Sequence, residues 1–244
     1  MGSCGVLEID PVNPADPVIL SNMIERILEP ELMDTAEDAR EYDAMDHAAV
    51  NAQFVSDLLA VLDVGELCEI LDLGAGTAQI PIELCRRSVG VRVVAVDAAA
   101  HMLAVARENV VAAGLSERIE LVQADAKRLP FESGRFPAVV SNSIVHHIAE
   151  PRAVIAEAIR VTAPGGLLFH RDLARPPDER ALDQLVSTYA GDATPYQQKL
   201  LADSLRAALT CEEMRQLVSR FGFTAETVQL RSDRHWTWMA TIER

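Results

Sequence analysis

The sequence predicts an α/β protein built on a seven-stranded, mostly parallel sheet with helices on both faces. After Gly65, short apolar runs of strand length alternate with amphipathic segments of helix length, a pattern typical of such sheets. The runs are almost continuously apolar, as expected for parallel strands that are buried on both faces. Hydrophobic residues make up 49% of the 244 residues, which is sufficient for one large core.

The N-terminal part precedes this alternating pattern. Its first twenty residues contain three prolines and are expected to be extended and poorly ordered. From Ser21 to Leu62 apolar residues recur at helical spacing, which predicts two helices interrupted near Pro30. The acidic stretch Glu29–Asp46 is interpreted as a solvated helix face. We expect residues 1–55 to form an N-terminal extension and helical cap.

The central part of the chain supplies five of the predicted strands and the helices between them. Right-handed crossovers between parallel strands place the functional loops at the carboxyl ends of the strands. The predicted strands are Cys68–Leu73, Val91–Val96, Ile119–Val122, Ala138–Ser141 and Gly166–His170. The predicted helices are Ile80–Ser88, Ala100–Ala113, a segment near Leu129, and Arg152–Thr162.

The C-terminal part supplies three further helices and the two closing strands. Thr210 and Glu213 form a capping box, which predicts a helix that ends at Gly222. Trp236 and Trp238 alternate onto one face of the last strand and are expected in the core. The other predicted elements are helices Asp178–Tyr189 and Tyr196–Ala208, and strands Thr224–Leu230 and His235–Ile242. Residues 56–244 are therefore predicted to form one domain, with a helical insertion at about 176–209 before the last two strands. We expect this insertion to form the acceptor pocket.

The charge of the chain excludes several classes of partner. It carries 22 Lys and Arg against 37 Asp and Glu, a formal net charge of −15. Nucleic acids and anionic membrane surfaces are disfavoured, because binding to phosphates depends on Lys and Arg. No apolar run approaches the roughly 18–20 residues of a membrane-spanning helix. We expect a cytoplasmic monomer or homodimer that acts on a small molecule.

A glycine-rich turn carries the clearest chemical signal. The segment Glu69–Thr77 is interpreted as a strand that runs into a tight turn and then a helix, the place where open α/β sheets bind nucleotide-like ligands. Gly74 and Gly76 permit the turn and let the backbone approach a ligand closely. Twenty-one residues after Gly76, the next strand ends in Asp97. Its carboxylate can accept hydrogen bonds from both hydroxyls of a ribose.

Two details favour a ligand other than a dinucleotide. The dinucleotide fingerprint G-x-G-x-x-G requires glycine where this chain has Gln79. Asp72, just before the turn, would repel a pyrophosphate and suits an amino group or another positive centre. A ribose, an adenine and a cationic amino-acid tail together describe S-adenosylmethionine.

The glycine turn and four further motifs together resemble those of the class I S-adenosylmethionine-dependent methyltransferases. The resemblance covers roughly Ser56–Arg171 and implies a Rossmann-like fold. It also implies methyl transfer to a nitrogen, oxygen, sulfur or carbon atom of a small molecule by in-line displacement, with release of S-adenosylhomocysteine. One departure is Pro137, which stands where the family often has an acid. The further motifs are Asp97–Met102, Gln123–Ala126, Phe136–His147 and Pro164–Gly166.

The resemblance implies a set of cofactor-binding residues. Asp97 would contact the ribose, and Met102 would lie beside the adenine. Asp125 would meet the adenine amino group, next to the backbone of Ala126. The segment Glu41–His47 resembles that of quinone-biosynthesis-type methyltransferases, in which this helix closes over the cofactor. The complete predicted set is Tyr42, Asp72, Gly74, Ala75, Gly76, Asp97, Ala98, Met102, Asp125, Ala126 and Asn142.

Four residues are candidates for catalysis. His146 and His147 follow the fourth strand, and imidazole can take a proton from the acceptor near neutral pH; a histidine pair here also suits an ordinary pocket wall. Asp46 is a further candidate base for a hydroxyl acceptor. Arg171 follows the fifth strand and either forms an internal ion pair or binds a polar group of the substrate.

Other functions remain open from the sequence. A non-catalytic protein that binds S-adenosylmethionine would share every cofactor motif. A nicotinamide-dependent oxidoreductase would share the fold, although Gln79 counts against it. An arsenic methyltransferase would require clustered thiols. The four cysteines are scattered without a C-x-x-C pair, so we expect neither disulfides nor a metal site.

Overall fold

A computed structural model describes residues 24–30, 34–62 and 68–243 of the chain. Its strands are β1 (Cys68–Leu73), β2 (Val91–Asp97), β3 (Ile119–Gln123), β4 (Phe136–Asn142), β5 (Thr162–Leu173), β6 (Val228–Leu230) and β7 (His235–Thr241). They form one sheet in the order β3-β2-β1-β4-β5-β7-β6. Strands β1 to β5 are parallel, and β7 is antiparallel to both β5 and β6. The predicted seven-stranded, mostly parallel sheet is confirmed.

Eight α-helices accompany the sheet in the described part of the chain. They are α1 (Ala36–Ala44), α2 (Ala48–Leu59), α3 (Gln79–Arg87), α4 (Ala100–Ala112), α5 (Pro151–Val161), α6 (Glu179–Ala190), α7 (Pro195–Ala207) and α8 (Cys211–Ser219). The predicted capping box of Thr210 and Glu213 is present at the start of α8. None of these helices is both long enough and apolar enough to cross a membrane.

The sheet is buried on both faces, because successive residues of a strand point to opposite sides. Ile70 of β1 packs in a cluster with side chains of α2, α3 and α4. Its neighbour Leu71 packs in a second cluster with side chains of α5 and α8. Trp236 and Trp238 are fully buried in this second cluster, which confirms their predicted place in the core.

The helical prediction for the segment around Ile24 is wrong. Residues 24–30 are not helical, and their hydrogen bonds go to distant parts of the chain. The backbone N–H of Ile24 donates to the Pro177 carbonyl, and that of Ile27 donates to the Arg206 carbonyl. Hydrogen bonds to a residue just before α6 and to α7 therefore replace the helical hydrogen bonds that the spacing predicted. The predicted extended segment at residues 1–20 lies outside the described residues.

A second predicted helix, near Leu129, is also absent, and turns occupy residues 126–134. The N–H of Leu129 donates to Glu157 Oε2 at 2.7 Å, and its carbonyl accepts from Arg160 Nη2 at 3.1 Å. Both partners belong to α5. Side chains of a neighbouring helix thus satisfy backbone groups that a local helix would have paired.

Candidate functional site

A cavity of about 500 Å³ lies at the carboxyl ends of β1 to β4. Ligands of open α/β sheets bind where the strand order reverses, which here is beside β1. The volume is within the range of about 300–1,000 Å³ that small-molecule sites have. The cavity is lined by Tyr42, Gly74, Gly76, Val96, Asp97, Ala98, Ala99, Met102, Gln123, Ala124, Asp125, Ala126, Lys127, Asn142, Ser143, Ile144, His147 and Ile148.

The turn after β1 requires glycine for two reasons. Gly74 has a φ of +72° and Gly76 a φ of +53°, conformations that side chains disfavour. In addition, a Cβ at Gly74 would lie only 2.8 Å from Ile144 Cδ1. The bare backbone at Gly74 therefore forms part of the cavity floor, and any side chain there would force Ile144 out of place.

Asp97 ends β2 at the side of this turn. Its Oδ2 accepts the backbone N–H of Gly76 at 2.8 Å, and its Oδ1 accepts that of Ala99 at 2.9 Å. Burial raises the pKa of Asp97, whereas these backbone donors lower it. Each carboxylate oxygen can accept more than one hydrogen bond, so the side chain is oriented and still has acceptor capacity for a ligand.

Helix α1 covers one side of the cavity. The ring of its Tyr42 lines the cavity, and a Cβ at Gly76 would lie 3.6 Å from Tyr42 Cε1. Burial and the charges of Asp97 and Asp72 raise the pKa of Tyr42 to about 12. The Tyr42 hydroxyl therefore stays protonated and can donate a hydrogen bond.

Gln79 occupies the position where the dinucleotide fingerprint has its last glycine, and it holds α1 in place. Its Nε2 lies 3.1 Å from Asp43 Oδ1, and its Oε1 accepts from Asn51 Nδ2 at 3.2 Å. Asn109 of α4 also donates to Asp43 Oδ1, at 2.9 Å. Glycine at position 79 would remove the contacts with both N-terminal helices.

The far end of the cavity is formed by Met102 and the turn after β3. Asp125 Oδ1 accepts the backbone N–H of Lys127 at 2.8 Å, and Asp125 Oδ2 lies 3.5 Å from Lys127 Nζ. This ion pair is half exposed and therefore contributes little to stability. A ligand can displace the Lys127 ammonium from Asp125 at small cost.

The opposite wall follows β4. Ser143 has a φ of +60°, which is uncommon for a residue with a side chain and often marks functional sites. Ile144 and Ile148 supply apolar surface, and His147 supplies an imidazole. Burial and the neighbouring His146 lower the pKa of His147 to about 3. His147 is therefore neutral at physiological pH.

His146 does not line the cavity and is held by an acid of β5. Its Nδ1 lies 2.5 Å from Asp172 Oδ1, and both side chains are buried. Burial alone would lower the pKa of His146, but Asp172 and Glu29 raise it. Asp172 Oδ2 also accepts the backbone N–H of Val145. One carboxylate thus orients the imidazole and the turn that carries it.

The interpretation of Glu29 as part of a solvated helix face is wrong. Its side chain is only 13% exposed, and its Oε1 lies 3.6 Å from His146 Nε2 and 3.5 Å from His147 Nδ1. Burial raises the pKa of Glu29. The non-helical segment 24–30 places this acid against the histidine pair.

The chain is similar to known methyltransferases. Residues 71–170 match the family model of a methyltransferase domain. The demethylmenaquinone methyltransferase of Thermus thermophilus is 32% identical over 166 residues, which are 64% of this chain and 74% of that protein. The demethylmenaquinone methyltransferase of Mycobacterium tuberculosis is 30% identical over 176 residues, 68% of this chain and 70% of that protein. The chain belongs to the class I S-adenosylmethionine-dependent methyltransferases.

The fold of this methyltransferase agrees with that assignment. It is similar to the crystal structure of an S-adenosylmethionine-dependent methyltransferase from Aquifex aeolicus, with a TM-score of 0.62 and 16% identity. The similarity covers 85% of this chain and 98% of the Aquifex chain. At this identity the comparison supports the fold alone.

S-adenosylmethionine is the cofactor of the methyltransferase, and the cavity suits it. The bare backbone at Gly74 leaves room for the ligand, since a Cβ there would collide with Ile144. The oriented carboxylate of Asp97 at the end of β2 suits the hydroxyls of a ribose. Nine of the eleven predicted cofactor-binding residues line the cavity; the exceptions are Asp72 and Ala75. Asp72 is buried, and burial together with Asp97 raises its pKa to about 8.

Of the four predicted catalytic residues, only His147 lines the cavity. Asp46 is exposed and accepts the N–H of Ala48 at 3.1 Å, a local turn contact. Arg171 is buried and forms an ion pair with Asp57 at 2.6 Å, which agrees with the internal-pair alternative. It lines a separate groove of about 450 Å³.

Several lining residues were missed by the sequence prediction. Lys127 directly follows the Asp125–Ala126 motif, so its position in the sequence was a usable signal. Ile144 and Ile148 carry no chemical signal of their own, because apolar side chains near a strand end usually belong to the core. The cavity wall they form depends on the path of the turn after β4.

Proposed function

We propose that the methyltransferase transfers the methyl group of S-adenosylmethionine to a small hydroxylated ring of the quinol type. The observation that carries this proposal is the composition of the cavity wall after β4, called the second or acceptor wall below. It places Ile144 and Ile148 beside a neutral His147, in the same cavity as Asp97. Such a wall suits a flat apolar ring with a polar substituent. The demethylmenaquinone methyltransferases at 30–32% identity support the same acceptor class.

The first wall of the cavity, formed by the turns after β1, β2 and β3 and by α1, holds the cofactor. Asp97 accepts hydrogen bonds from the ribose hydroxyls, Met102 packs on the adenine, and Asp125 accepts from the adenine amino group. Asp72 attracts the ammonium group of the amino-acid tail, and Tyr42 of α1 closes the site. When bound, S-adenosylmethionine supplies a methyl group that is activated by the positive charge on its sulfur.

The second wall positions the acceptor. The neutral His147 hydrogen-bonds to an oxygen of the acceptor and orients the ring, while Ile144 and Ile148 hold the ring. Such a hydrogen bond contributes about 0.5–1.5 kcal/mol, and the proton displaced from the acceptor leaves to water. Correct alignment of the two reactants supplies up to about 7–11 kcal/mol of the barrier reduction.

Calorimetric titration with S-adenosylhomocysteine tests the cofactor site. We expect binding of S-adenosylhomocysteine and none of NAD. Asp97→Ala should weaken binding by at least about hundredfold, because hydrogen bonds to a charged group contribute about 1.5–3 kcal/mol each. Asp183→Ala changes an exposed acid of α6 and is the matched control. Unchanged affinity in the Asp97 variant would refute the cofactor site.

Mass spectrometry of a reaction with a naphthohydroquinone tests the acceptor class. We expect one added methyl group per ring, and His147→Phe should lower kcat by about three- to tenfold while S-adenosylhomocysteine still binds. Transfer only to amine or thiol acceptors would overturn the quinol proposal and leave the cofactor site intact.

A further inference from the structure

A second set of groups meets beside the acceptor wall. The side-chain atoms Glu29 Oε1, His146 Nε2 and His147 Nδ1 approach one another within 4.8 Å. Glu29 comes from the N-terminal segment, and the two histidines come from the turn after β4. Among the described residues, neither Glu29 Oε1 nor His147 Nδ1 has a hydrogen-bond partner, although both atoms are buried. Buried polar atoms are nearly always paired, so these two require an explanation.

The distances fit a shared metal ion better than hydrogen bonds. Glu29 Oε1 lies 3.6 Å from His146 Nε2 and 3.5 Å from His147 Nδ1, longer than the roughly 2.7–3.2 Å of a hydrogen bond. A tetrahedral zinc ion with bonds of about 2.1 Å separates its ligand atoms by about 3.4 Å. The two separations from Glu29 therefore nearly match the edges of such a site, and all three ligand atoms lie within 4.8 Å of one another.

The surroundings orient the ligand atoms. Asp172 lies 2.5 Å from His146 Nδ1, so that nitrogen carries the proton and Nε2 is directed toward Glu29. A carboxylate behind a histidine is the usual outer partner of a metal-binding imidazole. Ser204 of α7 favours the ionised form of the Glu29 carboxyl. We propose that Glu29, His146 and His147 bind a divalent transition-metal ion of the zinc type.

The proposed ion deepens the proposed function, on which its role rests. Three protein ligands leave a tetrahedral ion one open position. Because His147 offers Nδ1 to the ion while its ring lines the cavity, the ion fixes the orientation of this imidazole at the acceptor wall. With Nδ1 bound to the ion, Nε2 carries the proton and donates a hydrogen bond to an oxygen of the acceptor. Binding of the ion itself does not depend on the identity of the acceptor.

Zinc titration of the chelator-treated full chain tests the site. We expect one Zn²⁺ per chain, a rise in melting temperature with added Zn²⁺, and visible absorption bands on Co²⁺ substitution. Glu29→Gln and His147→Gln should each weaken Zn²⁺ binding at least about tenfold. His101→Gln is the control, because His101 is a half-exposed histidine outside the cluster and its loss should leave Zn²⁺ affinity unchanged.

The outcomes separate the two proposals. The metal site is refuted if wild-type protein binds no stoichiometric Zn²⁺, or if both ligand variants bind Zn²⁺ as tightly as wild type does. In that case a protonated His146, shared between Asp172 and Glu29, explains the cluster. Stoichiometric Zn²⁺ binding without naphthohydroquinone methylation refutes the acceptor class alone. Unchanged S-adenosylhomocysteine affinity in Glu29→Gln shows that this variant is folded, since Glu29 does not line the cofactor cavity.

Discussion

Asp72 is an acid in a position that disfavours its charge. Burial and the nearby Asp97 raise its pKa to about 8, so in the protein without cofactor it is mostly protonated at neutral pH. A cationic ligand favours the ionised form. Cofactor binding should therefore release a proton, and affinity for S-adenosylhomocysteine should rise with pH, by up to about tenfold per pH unit, until the pH reaches the pKa of Asp72.

Calorimetry at a series of pH values measures this dependence. Asp72→Asn mimics the protonated acid at nearly the same size, so this variant should fold, bind more weakly above the pKa of Asp72 and show a flat profile below it. Parallel profiles for wild type and variant would assign the pH dependence to another group.

At the scale of elements, the strands and most helices follow from local pattern. Five of the strands are almost continuous apolar runs, and Gly74, Gly76 and Asp97 form a motif at the ends of the two neighbouring strands β1 and β2. The errors occur where distant contacts decide the structure. Ile24 and Ile27 bond to Pro177, just before α6, and to Arg206 of α7 instead of forming a helix, and no local pattern reports such partners.

The same limit applies to the candidate site. The cofactor side was predictable because its residues lie in short motifs at strand ends. The group formed by Glu29 and the histidine pair was not, because Glu29 reaches it through the non-helical path of its segment. Its acidic neighbours in sequence favoured a solvated helix face, whereas burial against His146 and His147 determines its role.

Helix α1 provides a prediction at this scale. Asp43 accepts hydrogen bonds from Gln79 and Asn109, and these contacts hold the helix that carries Tyr42 over the cavity. Asp43→Ala should weaken S-adenosylhomocysteine binding about five- to tenfold, mainly through faster dissociation, since such bonds contribute about 1 kcal/mol or more. Stopped-flow release measures the rate. Glu41→Ala, an exposed acid of the same helix, should release at the wild-type rate; equal rates in both variants would refute the role of Asp43.

Across the whole molecule, acid stability depends on histidines that are buried in the neutral form. Burial lowers the pKa of His170 to about 4, and burial with Arg234 lowers that of His235 to about 4. Below the ordinary pKa of 6.5 the unfolded chain gains protons that the folded chain does not bind. The free energy of unfolding should therefore fall as the pH drops from about 6.5 to about 4. His146 acts in the opposite direction, because its pKa is raised.

His170 allows one share of this effect to be isolated. It is fully buried in the sheet beside Trp238, and neither ring nitrogen has a hydrogen-bond partner in the described chain. His170→Leu replaces it with an apolar side chain of similar size, which cannot titrate and leaves no buried polar atom unpaired. We expect the variant to be at least as stable as wild type at neutral pH. On acidification to about pH 4, its free energy of unfolding should fall by about 3 kcal/mol less than that of wild type. Urea unfolding at several pH values measures both quantities. A pH dependence equal to that of wild type would show that the pKa of His170 in the folded protein is close to its ordinary value, which would refute the prediction.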